Sequence, residues 1–180
     1  DSPIFNELVD LIHFGICINV PLILEGNPGQ GKQTAINYVC GLLNYEVENI
    51  IITKFFSVND LFKKTVISSN NDEIDLINIE TKLFEKLYLP KDEQDKNKVV
   101  FIFHNINYAE YDVLSKISEI FNKQLYISSD YRLIGIININ ESSIERDAYY
   151  YNYFPNSVYY KVDSSKLIDK KQINEQNLQI

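Results

Sequence analysis

Gly26-Asn27-Pro28-Gly29-Gln30-Gly31-Lys32 is the stretch that decides the fold. It satisfies the pattern G-x-x-x-x-G-K, and its flanks supply what that pattern requires. A short apolar run at residues 20–24, closed by Glu25, leads into it, and residues 32–43 follow with helical spacing. Glycines let the backbone curl until several N–H groups converge on one anion. The start of the helix adds its partial positive charge there, and a lysine at its head reaches the outer phosphates. A glycine-rich strand-to-helix turn with an unrelated surface lysine is the competing reading, but strand, loop, lysine and helix stand in the required order. Gly26, Asn27, Pro28, Gly29, Gln30, Gly31 and Lys32, with Gln33 and Thr34 after them, are therefore the candidate nucleotide-binding residues. The expected ligand is a nucleoside di- or triphosphate, and the loop residues alone leave adenine or guanine open.

Outward from the loop the chain alternates strand and helix patterns. Ile4, Phe5, Leu8, Val9, Leu11, Ile12 and Ile16 recur at helical steps behind Ser2-Pro3. Residues 49–54, 99–103 and 131–137 are β-branched and aromatic runs suited to a sheet covered on both faces. Residues 76–89 and 109–121 carry apolar positions three and four apart and predict helices, whereas the polar segments 68–73 and 91–98 predict solvated loops. Such alternation implies a mostly parallel sheet with helices on both faces, and with the loop the expected fold is the P-loop NTPase three-layer α/β/α sandwich with five strands.

Two positions depart from a working NTPase. The residue after the lysine is ordinarily Ser or Thr, whose hydroxyl holds magnesium; here it is Gln33. Thr34 comes one position later, and one helical step is a rotation of about 100°, which turns it away from the metal position. A second strand ordinarily ends in one or two carboxylates that organise the metal and polarise water. The strand Val99-Val100-Phe101-Ile102-Phe103 ends instead in His104-Asn105, neither of them anionic near neutral pH. Magnesium binding is therefore doubtful, no catalytic residue is assigned, and no metal site is expected at His104.

Pro21-Leu22-Ile23-Leu24-Glu25-Gly26, Asn59-Asp60-Leu61-Phe62, Ile106-Asn107-Tyr108-Ala109 and the strand Tyr131-Arg132-Leu133-Ile134-Gly135-Ile136-Ile137-Asn138 stand in an order that resembles the midasin and dynein-related branch of AAA+ ATPases. The resemblance runs from about residue 4 to about residue 162. It implies that His104 and Asn105 occupy the Walker B carboxylate positions and that Asn138 is the sensor-like polar residue. No arginine finger is placed: Arg132 falls inside the sensor strand, and Arg146 reads as a surface charge. Residues 1–165 would form the large nucleotide-binding subdomain, and residues 166–180 a polar tail or the start of a lid.

The function so implied is an ATP-binding module, with weak or no hydrolysis of its own, inside a giant midasin-like ATPase that remodels pre-ribosomal particles in the nucleus. Its partners would be adjacent AAA+ modules of the same chain or ring, together with protein substrates handled in a chaperone-like way. A dynein-like motor or an AAA-type ubiquitin ligase would leave the same trace. From other classes come a standalone P-loop kinase or GTPase, for which neither an N-K-x-D segment nor an arginine-rich lid is found, and a scaffold whose loop is empty.

Composition restricts the partners. A net charge of −8 disfavours sequence-independent attraction to nucleic acid or to an anionic membrane, and the longest apolar stretch, interrupted by Asn19 and Pro21, is too short to span a bilayer. A soluble intracellular protein is expected. Cys17 and Cys40, both among apolar neighbours, read as small core residues. Residues 149–153 read as packing or loop, because a base-stacking ladder would bring basic neighbours. A chain that starts at Asp1, lacks Met and ends in the polar run 170–179 is expected to be part of something longer.

Overall fold

The computed structural model describes residues 3–70, 73–123, 130–139 and 152–162. Helix α1 (Pro3–Ile18) leads into β1 (Leu22–Gly26), the glycine loop, α2 (Lys32–Leu43) and β2 (Glu46–Ile51). Helix α3 (Val58–Phe62), strands β3 (Lys63–Asn70) and β4 (Glu73–Glu80) and helix α4 (Lys82–Tyr88) follow. Next come β5 (Val99–His104), a short 3-10 turn (Ile106–Tyr108), α5 (Tyr111–Lys123), β6 (Tyr131–Asn138) and β7 (Val158–Lys161).

The main sheet has five strands in the order β2-β5-β6-β1-β7, and each described pairing is parallel. Helices cover both of its faces, as the alternation of strand and helix patterns requires. Leu22, Leu24, Val100, Ile102, Ile134 and Ile136 face Leu8, Ile12, Ile16, Ile36 and Val39 of α1 and α2. Ile23, Phe101, Phe103, Leu133 and Ile137 face Val113, Ile117, Ile120 and Phe121 of α5 and Phe154. Two glycines mark where the layers close. A Cβ at Gly15 would lie 2.7 Å from Leu22 Cδ2, and one at Gly135 would lie 2.4 Å from Ile106 Cδ1, so α1 and the 3-10 turn approach the sheet where no side chain fits.

Helix ends are closed by local chemistry. Asn44, left-handed at φ 56°, ends α2 with its N–H on Cys40 O. Ser57 N–H and Oγ both donate to Asp60 Oδ2 at the head of α3, and Thr81 Oγ1 accepts from Phe84 N–H at the head of α4 while donating to Leu61 O. Arg132, on β6, donates from Nε to Ile16 O at 2.6 Å, so it ties α1 to the sheet.

Three expectations are corrected. Residues 68–70 and 73 are strand rather than loop: β3 and β4 form an antiparallel ribbon in which Asn70 pairs with Glu73. Consequently the helix expected over residues 76–89 begins only at Lys82. Leu76, Ile79 and Leu83 have helical spacing, but Ile74, Leu76 and the β-branched run around them also fit a strand, and Asn70-Asn71-Asp72 is turn chemistry that favours a hairpin. Cys40 is buried, and burial pushes its thiol up to about 11, but Cys17 is exposed on the outer side of α1, 3.9 Å from His13 Nε2, rather than in the core. Residues 91–98 are turns and bends as expected, though pinned where Asp95 pairs with Lys82 and Lys86. Arg146, Tyr149, Tyr150, Tyr151 and residues 166–180 lie outside the described residues. Among the described residues no helix is long and apolar enough to cross a membrane.

Candidate nucleotide-binding site

The loop leaves the carboxyl end of β1, an interior strand that lies between β6 and β7. Gly29 and Gly31 have φ of 83° and 80°, a left-handed backbone that only glycine adopts at little cost. The first helical bond of α2 runs from Ala35 N–H to Gly31 O, so the N–H groups of Lys32, Gln33 and Thr34 precede any intrahelical partner. They form the positive end of a helix of 12 residues.

Lys32 is folded into the loop. Its Nζ donates to Gly26 O at 2.8 Å and to Asn27 O at 2.7 Å, and burial lowers its pKa to about 8. An arriving phosphate would therefore meet an ammonium already positioned by two carbonyls and only weakly screened by water. Beneath the loop Glu25 is buried, and its carboxylate is paired with Lys161 of β7 at 3.1 Å. Gln30 lies over Gly26, where an added Cβ would come within 2.3 Å of Gln30 Oε1. Pro28, Gly29, Gln30, Gly31, Lys32, Gln33, Thr34, His104 and Asn138 border a cleft of about 330 Å³.

The structure brings the departing residues together. His104 ends β5 on the α2 side, and its Nε2 is 2.8 Å from Asn49 Oδ1 of β2. Gln33 Nε2 donates to Asn37 Oδ1 at 2.9 Å and reaches the same Asn49 oxygen at 3.5 Å. Burial holds the imidazole below its ordinary pKa, so this cluster is uncharged near neutral pH. Thr34 is exposed and borders the cleft without joining the cluster.

Asn105, left-handed at φ 58°, accepts from Asn138 Nδ2 at 2.5 Å, and Asn107 Oδ1 accepts the Asn138 N–H at 3.3 Å. The residue expected at the second carboxylate position and the one expected to be sensor-like thus face each other as two amides. Hard divalent cations favour anionic oxygens; here the donors are one imidazole and several amides, with Gln33 in place of a hydroxyl. The residues do not fit a magnesium ion held in the usual way. Among the described residues no cluster of three or more His, Cys, Asp or Glu is placed to hold a metal.

Of the residues expected from sequence, His104 and Asn138 border the cleft with the loop and Asn105 bonds to Asn138, whereas Asn37, Asn49 and Asn107, which bond to Gln33, His104 and Asn138, were not foreseen. Asn49 had a detectable signal, since it shares with Val47 and Ile51 one otherwise apolar face of an edge strand. Only the pairing of β2 with β5 shows that this face meets His104.

Residues 21–139 match the protein family described as AAA domain (dynein-related subfamily). No curated protein sequence matches the chain. Among solved structures, a protein of Cytophaga hutchinsonii provisionally designated an ATPase superposes with a TM-score of 0.56 at 15% identity, over 91% of this chain and 48% of its own. That likeness is one of fold, and this chain spans about half of that protein's length.

Proposed function

The chain belongs to the dynein-related subfamily of AAA domains, an AAA+ ATPase module on the P-loop fold, and from this membership we propose that it binds ATP or ADP through Gly26 to Lys32 while hydrolysing ATP weakly or not at all. The observation that carries the proposal is the uncharged seam along the carboxyl edge of the sheet. The phosphate-binding half of the site is complete in glycines and lysine. The hydrolytic half has His104 bonded to Asn49, and Asn105 bonded to Asn138, where carboxylates would orient metal and water. Among the described residues, none of the side chains bonded in that half is charged to polarise a water molecule, and Gln33 supplies no metal-binding hydroxyl. Binding energy then serves to order this module and the interface with its neighbours rather than turnover.

Residues 1–165 act in this proposal as the large subdomain, and residues 166–180 as a tail or the start of a lid. The wider setting is a midasin-like giant ATPase acting on pre-ribosomal particles in the nucleus, adjacent AAA+ modules being its first partners. Asn59-Asp60-Leu61-Phe62, which lies within α3, and Ile106-Asn107-Tyr108-Ala109 support that setting.

Calorimetry with ATP, paired with a phosphate-release assay, tests the core of the proposal: saturable binding without turnover is expected. Absence of binding would remove it. The ribosomal setting is tested separately by co-sedimentation of the full-length protein with large-subunit precursors, and a failure there leaves the nucleotide reading intact.

A further inference from the structure

Strand β2 is the end strand of the main sheet, and its pairing with β5 fixes which backbone groups point out of that edge. Glu46 N–H donates to Lys98 O, and Ile52 N–H to His104 O. In a parallel ladder every second residue therefore turns both N–H and C=O toward β5, and Val47, Asn49 and Ile51 turn theirs outward. Such an edge is a template for another extended chain.

Beside this edge lies a groove of about 540 Å³, within the size range of ligand sites. Its floor is apolar: Leu61, Leu83 and Phe101 are buried there, with Ile50 and Phe56 half-buried beside them. Its far wall is the start of β3, from Lys63 to Val66. Added strand residues that turn toward the Glu48 and Ile50 face would rest on that floor.

Charge narrows the occupant. Lys82 is committed to Glu46 and Asp95, and Asp60 to Ser57. Lys63 and Lys64 are exposed and make no ion pair among the described residues, and Glu48 is the one carboxylate of the lining not bonded in this way. In a chain of net charge −8 this wall is locally cationic.

We propose that the groove binds an extended segment of a partner protein that alternates apolar and acidic residues and adds to β2 as a further strand. Main-chain bonds to Val47, Asn49 and Ile51 hold it, apolar side chains fill the floor, and its carboxylates meet Lys63 and Lys64. Asn49 belongs to both the groove and the His104 cluster, so the peptide lies one residue from the nucleotide cleft. The site does not depend on the nucleotide reading.

The test is fluorescence polarisation of the 180-residue chain with the labelled hexapeptide Glu-Val-Glu-Ile-Glu-Val and its lysine counterpart Lys-Val-Lys-Ile-Lys-Val. The acidic peptide is expected to bind, and the lysine peptide at least about tenfold more weakly. N-methylation of one alternate set of peptide nitrogens should abolish binding while methylation of the other set is tolerated, because only one set faces β2. Ile51→Pro removes an outward N–H without removing a bond to β5 and should cost about tenfold or more, as should Lys63→Glu combined with Lys64→Glu. Circular dichroism melting establishes that each variant is folded, and the methylated peptides keep the test alive on unaltered protein. No binding, equal binding of the two peptides, or indifference to methylation would overturn the proposal. So would light scattering that shows a dimer dispersed by Ile51→Pro, since the occupant would then be a second copy of the chain.

Discussion

Asn49 Oδ1 lies 2.8 Å from His104 Nε2, joining the end strand of the sheet to β5, the strand expected to carry the first acidic residue of a P-loop ATPase. One amide oxygen serves two departures at once, because Gln33 Nε2 approaches it from α2 at 3.5 Å. The replacements at positions 33 and 104 thus behave as a unit, with a neutral hydrogen-bond bridge in the space between loop and β5.

Nucleotide affinity should depend on Lys32 and on its proton. Lys32→Ala is expected to weaken ATP binding at least tenfold, about 1.4 kcal/mol. Burial holds the lysine at about 8, and phosphate favours the charged form, so affinity should be level below that pH and fall as pH rises through it. Calorimetry from pH 6.5 to 9.5 checks both; equal binding by wild type and Lys32→Ala would falsify the loop assignment.

Phosphate release by the purified chain should not exceed that of Lys32→Ala. Turnover near about 1 per second, abolished in that variant, would mean that a carboxylate elsewhere does the work. Glu110 and Asp112 are both exposed, Asp112 accepts Val113 N–H at the head of α5, and neither borders the cleft. His104→Asp with Asn105→Glu should restore magnesium-dependent tightening of ATP binding, with Gln33 still limiting turnover.

Folding stability should carry a titration from His104. Its folded pKa is depressed by burial below the ordinary 6.5, so the unfolded chain takes up a proton first as pH falls. The stabilising contribution is present above pH 6.5 and lost as pH drops toward the folded value. Urea unfolding of wild type and His104→Gln between pH 7.5 and 5 should show a shallower loss in the variant. In Asn49→Asp a carboxylate faces the imidazole, and an NMR titration should place His104 higher than in wild type.

Gly135→Ala should destabilise the fold by about 1–3 kcal/mol through overpacking, because the new methyl would meet Ile106 Cδ1 at 2.4 Å and Ile23 Cδ1 at 2.7 Å. Gly41→Ala, which meets nothing within 4 Å on a helix, should be neutral or stabilising. Thermal melts of the two variants side by side give the comparison, and a Gly135→Ala protein as stable as wild type would contradict the close approach of the 3-10 turn to β6.

By itself the sequence determined the elements whose signal is local. Residues 20–24, Gly26 to Lys32 and the helical run to Leu43 carry strand, loop and helix in contiguous order, and the short β-branched and aromatic runs at residues 99–103 and 131–137 read as strands of a covered sheet, which the structure buries except at Arg132. The neutral character of His104 and Asn105 was equally legible, since charge type is a property of the residue. Tertiary structure alone decided what depends on pairing between distant segments. The ribbon of β3 and β4 competes with a helix in one apolar pattern, and cross-strand bonds from Lys63 through Glu80 settle the competition. Cys17 and Cys40 look alike in sequence, and helix rotation exposes one and buries the other. Asn49 and His104 are 55 residues apart, and only the parallel register that sets Ile51 beside His104 turns both side chains to the same face and within a hydrogen bond.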